Sequence, residues 1–382
     1  MPGTHALLSP SAAHRWLHCT ASPMLGKDVV EMGSIYAEEG TLAHAYCAKK
    51  LKEFLKLDTS EEEAEIGQLN DTYHCGEMDE HTDTYKTIVL EKFNAARTKT
   101  ADAQLLVEVK LDFGRYVPDS FGTSDAIIIA DGCMEVIDFK YGKGVEVSAV
   151  ENPQMMIYAL GAWDRFNFEY DIDRVKMTIV QPRLDNLSEY EVSVGDLLDW
   201  SEKVLEPKAK EAYEGGRQEP GDWCRFCKVK AKCAALAKTC VEAYDGNPDP
   251  RLISKADMEK TIVPMLPAFK TWLDGIEKFT LEQALSGVKY EGYKLVEGRS
   301  VRKITDPAAV MNRLDARGYD EADFLKPAEL RGITDLEKLV GKKAFGVLCG
   351  EYINKPKGKP TLVPESDKRE AIDPAQDDFK DI

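Results

Sequence analysis

Apolar residues come in short runs through the middle of this chain. Val107-Glu108-Val109-Lys110-Leu111 alternates with a period of two, and the β signal begins near Leu105. Ala126-Ile-Ile-Ile and Glu135-Val-Ile-Asp138-Phe-Lys140 follow as two adjacent strands. A Gly-rich turn, Tyr141-Gly142-Lys143-Gly144, comes next. Asn152-Pro153-Gln154 then opens a helix, with proline near its start. Val175 to Pro182 is strongly β-prone, and Ser188 to Val194 reads as a further strand. Ile35, Leu42, Tyr46 and Leu51 recur at helical spacing within residues 35–56. Residues 81–98 and Asp196 to Gly215 read as further helices. The order of helix, three strands, helix and strand predicts a mixed α/β core, with a helix over one sheet face.

Beyond Val241 the pattern changes. Asn247-Pro-Asp-Pro250 suits a boundary, which gives an expected core domain over residues 1–240. Met258 to Ser286 reads as one long helical region, bent near Pro264 and Pro267. Tyr290 to Ile304 predicts a small hairpin turning near Glu297-Gly298-Arg299, and Pro307 to Val340 predicts short helices. These make an accessory region over 241–353. Residues 354–382 are polar and proline-rich, the composition of a flexible acidic tail.

Charge complicates the picture. The 382 residues carry a net charge of −17. Phosphate binding relies on Lys and Arg displacing counterions, so this balance weighs against a nucleic-acid enzyme. Net charge does not describe a local groove, however. The acid is concentrated between Asp58 and Glu80, expected as a connection, and after Pro364. No apolar run approaches a membrane span, and the N-terminus lacks a secretion signal, so the cytoplasm and no membrane partner are expected. No Gly-rich nucleotide loop of the P-loop form is present, which argues against ATPase activity.

The candidate chemistry sits on the strands. Residues two apart on a strand share a face, so Asp138 and Lys140 project together. The neighbouring strand can bring Asp125 to the same spot. Two carboxylates and an amine at one strand end are what metal-assisted phosphodiester hydrolysis needs. Asp-x-Lys is also common on solvated strand faces, so the three residues alone do not decide. Gln154 and Tyr158, four apart, share one helix face.

Taken together, G-x-x-D at Gly122–Asp125, I-D-x-K at Ile137–Lys140 and Q-x-x-x-Y at Gln154–Tyr158 resemble the RecB-like branch of the PD-(D/E)xK nuclease superfamily, over roughly residues 1–240. The resemblance implies Asp125 and Asp138 as metal ligands and Lys140 as the catalytic lysine. It adds Gln154 and Tyr158 as the helix motif supporting the site. It also implies a ligand histidine on an early helix, and Gly40-Thr-Leu-Ala-His44 has that form. The Phe139 backbone carbonyl would be a further ligand. Mg2+ or Mn2+ is the implied ion, and the histidine favours manganese. Glu108 is a weaker candidate around the site.

The nine cysteines do not suggest disulfides in a chain expected to be cytoplasmic. Cys224, Cys227 and Cys233 form a C-x2-C-x5-C run, and Cys19 lies far upstream. Zinc prefers paired C-x2-C knuckles, so this layout suits an iron–sulfur cluster better. It resembles the iron–sulfur subset of these nucleases, such as the CRISPR-associated exonucleases and the AddB nuclease domain. That resemblance implies a [4Fe-4S] cluster on Cys19, Cys224, Cys227 and Cys233, stapling the core's two ends. A zinc site or unligated thiols is the alternative. Arg225, Lys228, Lys230 and Lys232 interleave with the ligands, either facing phosphate or offsetting cluster charge. Cys47, Cys75, Cys133, Cys240 and Cys349 are expected as buried small hydrophobes.

Over the whole chain, the Leu-Ser-Pro-Ser opening and Gly292-Tyr-Lys-Leu-Val-Glu-Gly-Arg299 resemble the phage and prophage family known only as DUF2800. The combined expectation is a metal-dependent DNA nuclease of phage replication or recombination in a bacterial host. Single strands or duplex ends would be its substrate. A single-strand-binding or annealing protein is a candidate partner, and homo-oligomers are left open. The alternative is a non-catalytic DNA-end-binding or recombination accessory protein. Lys294, Arg299, Arg302 and Lys303 are read either as a nucleic-acid contact or as a solvated hairpin.

Overall fold

In the computed structural model the apolar stretches between Gln104 and Ser193 pair into one five-stranded sheet. The structure describes residues 6–29, 35–242, 263–298, 303–326, 329–330, 332–354, 358–364 and 370–371. The strands are β1 (Gln104–Asp112), β2 (Phe121–Ala130), β3 (Cys133–Phe139), β4 (Arg174–Gln181) and β5 (Asn186–Ser193). They lie in chain order; β3 and β4 are parallel and the other pairs antiparallel. Most of β2, β3 and β4 is buried, as strands covered on both faces must be, while β5 is a half-exposed edge.

Helices cover both faces, where the sequence pattern suggests cover on one. Successive residues of β3 divide between the two layers. Met134 and Val136 join one core with Ile127, Ile129 and Ile179. This core receives α1 (Ala13–His18), α6 (Pro153–Phe166), α7 (Val194–Trp200) and α8 (Glu206–Tyr213), through Trp16, Met155, Leu160, Leu197 and Ala209. Ile137 and Phe139 join the other core, with Leu42, Leu51, Tyr85, Val89 and Phe93. Those side chains come from α3 (Ile35–Leu55) and α5 (Gly76–Lys99). Two further helices in this part of the fold are α2 (Ser22–Gly26) and α4 (Ser60–Tyr73).

The acidic segment expected as a connection contains α4. Ion pairs bind it to α3: Lys52 to Glu62 at 2.5 Å and Lys49 to Glu63 at 3.2 Å. Acid that looks like solvated linker in the sequence is here partly neutralised by helix contacts.

The chain divides into two compact units, Met1–Leu273 and Asp274–Ile382. A helix of residues Val263–Leu285, with Pro267 inside it, runs through the division, and the proposed boundary at residues 247–250 lies outside the described residues. The second unit has its own core of Val310, Leu314, Phe324, Leu336, Phe345 and Cys349. The expected hairpin over Tyr290–Ile304 does not form. Tyr293–Gly298 pairs instead with Gly358–Pro364, and Lys303–Ile304 pairs with Ile353–Asn354. Gly358–Pro364 is therefore strand, where composition suggests a flexible tail. Of the basic side chains noted there, Arg299 and Arg302 lie outside the described residues. No described helix is long and apolar enough to cross a membrane.

Helix α6 matters most for the site, and its sequence explains its placement. Asn152 caps it, its side chain accepting from the Gln154 and Met155 N–H groups at 3.0 and 3.3 Å. Pro153 occupies the first turn, where no N–H is needed. Gly161 allows close approach to the sheet: a Cβ there would stand 2.5 Å from the ring of fully buried Phe113. Gly161→Ala gains about 1 kcal/mol of helix propensity but overpacks a rigid ring at a cost of about 1–3 kcal/mol. We expect a net loss of stability, read as a lower urea midpoint at unchanged m-value.

Candidate active site

Strands β2 and β3 pair from Ala130–Cys133 as far as Ala126–Ile137. There the ladder stops and a side chain takes over. Asp125 Oδ2 accepts the Phe139 N–H at 2.7 Å. Strand β3 stays fixed on its other side, with Asp138 opposite Ile179 and Phe139 opposite Val180. The Lys140 N–H donates to the Val180 carbonyl at 2.9 Å. The sheet thus forks beside Asp125, and the fork holds Asp138 and Lys140 on a paired backbone.

Gln154 joins the two. Lys140 Nζ stands 2.9 Å from Asp138 Oδ2 and donates to Gln154 Oε1 at 3.0 Å. Gln154 Nε2 donates to Asp138 Oδ1 at 3.1 Å. The amide therefore sets the separation of acid and amine. Tyr158 packs one turn later beside Gly122. From the other layer, His44 Nδ1 comes 3.2 Å from Asp125 Oδ1, its ring edge against Phe139.

The two carboxyls are shifted in opposite directions. Burial raises the Asp125 pKa, but His44, the Phe139 N–H and Lys140 outweigh it and hold the group below the usual aspartate range. Burial wins at Asp138, which is raised despite Lys140, with the Asp125 charge adding to the rise. For His44, burial lowers the pKa; the Asp125 charge and hydrogen bond overcome this and lift it to about 9. Burial keeps the Tyr158 hydroxyl protonated.

Glu108 of β1 belongs to the same site. It faces the fork where the β1–β2 ladder skips from Val107–Ala126 to Val109–Ser124. Its φ of 52° is a strained value for a non-glycine residue. Burial and the Asp125 charge push its pKa up to about 8. Glu108, His44 and Asp125 open onto a groove of about 570 Å³, walled by Glu62 and Glu65 of α4 and by Lys110.

Asp125, Asp138 and His44 suit a hard divalent ion in residue type. One oxygen is available in a specific sense: Asp138 Oδ2 is buried and receives no hydrogen bond of good geometry, although the Lys140 ammonium is close. Among the described residues no three His, Cys, Asp or Glu side chains stand in a ready ligand arrangement. At the fork each carboxylate already faces a cation of the protein, His44 for Asp125 and Lys140 for Asp138.

The remote cysteine does reach the cysteine run. Cys19, Cys224, Cys227 and Cys233 line one cavity. Backbone N–H groups point at the sulfurs: Glu219 to Cys19 Sγ at 3.4 Å, Gly221 to Cys224 at 3.5 Å and Leu236 to Cys233 at 3.5 Å. Burial raises the thiol pKa of Cys224 and Cys227, and the neighbouring cysteines raise both further. The two chain segments are sewn together by Ala21 N–H to Arg217 carbonyl (3.0 Å) and Arg217 N–H to Thr20 Oγ1 (2.8 Å). Gly216, at φ 52°, permits this approach; a Cβ would meet the Thr20 backbone at 2.3 Å. Of the other cysteines, Cys47, Cys240 and Cys349 are buried as expected, but Cys75 is exposed and Cys133 only half-buried.

Two supporting residues escaped the sequence reading. Gln181, 1% exposed, accepts the Val147 N–H and donates to the carbonyls of Gly142 and Val145, pinning the turn after Lys140. A glutamine ending a strand parallel to the Asp138 strand was the available signal. Arg183 pairs with Glu39 of α3 at 3.0 Å and lies over the Tyr141 ring. It ties the histidine-bearing helix to the end of β4.

Among solved structures, this chain is similar to SSO0001 at 15% identity and a TM-score of 0.25, over 58% of this chain and 96% of that one. It is also similar to a proposed exonuclease from Eubacterium rectale, at 12% identity and a TM-score of 0.32, over 57% and 86% of the two chains. Both scores are below 0.5 and establish nothing about the site. The family described as "Protein of unknown function (DUF2800)" matches residues 5–370, and the chain belongs to that family.

Proposed function

We propose that this protein is a metal-dependent deoxyribonuclease that hydrolyses phosphodiester bonds in single strands or at duplex ends. The observation that carries the reading is the fork: Asp138, Lys140 and Gln154 locked together beside the Asp125–His44 pair. His44, Asp125, Asp138 and the Phe139 carbonyl would hold Mg2+ or Mn2+. When bound, the ion lowers the pKa of a water and stabilises phosphate charge. Lys140 would position the attacking water. Gln154 keeps Lys140 in register with Asp138. The Tyr158 hydroxyl, kept protonated by burial, stands at the site's edge.

The cysteine cavity supports a [4Fe-4S] cluster held by Cys19, Cys224, Cys227 and Cys233. Thiolates need stabilising hydrogen bonds, and the N–H groups aimed at three of the sulfurs supply them. The cluster would staple α1 to the segment after α8. A second reading, a non-catalytic DNA-end-binding or recombination accessory protein, draws on one observation. Glu61, Glu62 and Glu65 wall the groove beside Asp125 and repel phosphate. The same wall favours a nuclease that works with a single-strand-binding or annealing partner.

Three outcomes are expected. Anaerobically purified protein degrades labelled DNA with Mn2+ or Mg2+, and Asp138→Ala or Lys140→Ala lowers the rate by about 100-fold or more. Equal degradation by wild type and variants would reject the site, and DNA binding without degradation by any of them would favour the accessory reading. Secondly, a metal must displace the His44 proton, which is held up to about pH 9. Calorimetric Mn2+ affinity should therefore rise about tenfold per pH unit from roughly 6.5 towards 9. A flat profile would remove His44 from the ligand set. Thirdly, the anaerobic protein should carry iron and visible thiolate–iron absorbance, both lost in Cys227→Ala. Stoichiometric zinc without iron would overturn the cluster.

A further inference from the structure

The cysteine run carries side chains that holding a metal group does not explain. From Trp223 to Lys238 the sequence has five basic residues and no acidic one, in a chain of net charge −17. An open ring and a half-buried one accompany this run. Phe226 is 67% exposed, and its backbone is fixed by Arg15, whose Nη1 donates to the Phe226 carbonyl at 2.7 Å. The Arg225 guanidinium lies over the Phe226 ring, 5.5 Å from its centroid. Lys230 Nζ donates to the Arg225 carbonyl at 2.8 Å. Close by, the exposed His18 ring is stacked on Trp223, with centroids 4.2 Å apart and planes at 17°. Trp223 Nε1 donates to the Glu219 carbonyl, so this stack too is held in place.

Trp223 is half-buried and packs against the core of Cys224, Leu236 and Cys240, while Phe226 and His18 stay exposed beside it. Rings held rigid and interleaved with Lys and Arg are what single-stranded nucleic acid requires. Its bases stack on π faces whatever their sequence, and its phosphates meet the cations. Duplex DNA keeps its base faces covered and gains only the charge contacts.

We propose that Phe226 and the His18–Trp223 stack, with Arg225 and Lys230, form a stacking platform for single-stranded nucleic acid on the cysteine-bearing lobe. The proposal rests on the nuclease reading for its setting, and it places the strand-binding step on a surface built from different residues than the fork. It also assigns the basic run a direct role beside any offset of cluster charge. Asp222 and Glu219 are acidic neighbours of the platform, so binding draws on stacking more than on charge alone.

The test is fluorescence anisotropy with labelled oligo-dT and oligo-rU of about 15 nucleotides, and a duplex of equal length. The full chain is used at matched iron content and without added divalent ion, so no hydrolysis contributes. Phe226→Ala should weaken oligo-dT binding by about tenfold, leaving duplex binding within about twofold, and Phe226→Trp should restore it. The double substitution Arg225→Ala with Lys230→Ala should reduce the slope of log affinity against log salt by about one to two. Loss on oligo-rU as well as oligo-dT assigns the platform to single strands generally, and loss on oligo-dT alone assigns it to DNA. Unchanged oligo-dT affinity in Phe226→Ala, or an equal loss on duplex, overturns the proposal. The reading is independent of whether Asp138→Ala abolishes cleavage, so either idea can fail alone.

Discussion

The hydrogen bond from the Phe139 N–H to Asp125 is the contact on which the rest of the site depends. It ends the β2–β3 ladder with a side chain in place of a backbone carbonyl. An extra rung would have set Asp125 opposite Asp138 in ordinary backbone pairing. Ending the ladder with a carboxylate satisfies the buried donor and opens the fork in one step. Asp125 can be ionised there because His44, the Phe139 N–H and Lys140 all favour its charge. The parallel β3–β4 pairing holds the other side of the fork still, so Asp138 and Lys140 inherit the rigidity of the sheet.

Burial and charge are balanced around that fork in pairs. Asp125 faces His44, Asp138 faces Lys140, and Gln154 bridges the second pair. Buried charges are tolerated only with such partners. The pairing neutralises the site with the protein's own cations; on the proposed reading a divalent ion would replace the His44 proton. Glu108 adds a third carboxyl, raised enough to hold a proton near neutral pH. Its strained backbone is a local cost that the β1–β2 pairing on either side overrides.

Much of this was legible in the sequence where the physics is local. Alternation placed the strands, and Asn152-Pro153 placed the start of the helix bearing Gln154. Period-two geometry put Asp138 with Lys140. The motif series selected His44 from six histidines, and the structure sets it against Asp125. What stayed hidden depends on partners far away in sequence. Helix α4 reads as acidic linker until Lys49 and Lys52 of α3 are placed against it. The strand at Tyr293–Gly298 looks like half of a hairpin because its true partner lies some sixty residues on, at Gly358–Pro364. The left-handed backbone at Glu108 left no mark, since that φ falls on a residue type that rarely adopts it.

The central claim is that the fork binds a divalent ion by trading two internal ion pairs for metal bonds. Anomalous diffraction from crystals soaked in saturating Mn2+ tests it most directly. The account predicts a manganese peak bonded to carboxylate oxygens of both Asp125 and Asp138 and to a His44 ring nitrogen. An unaltered Asp125–His44 pair with no peak at the fork would contradict it.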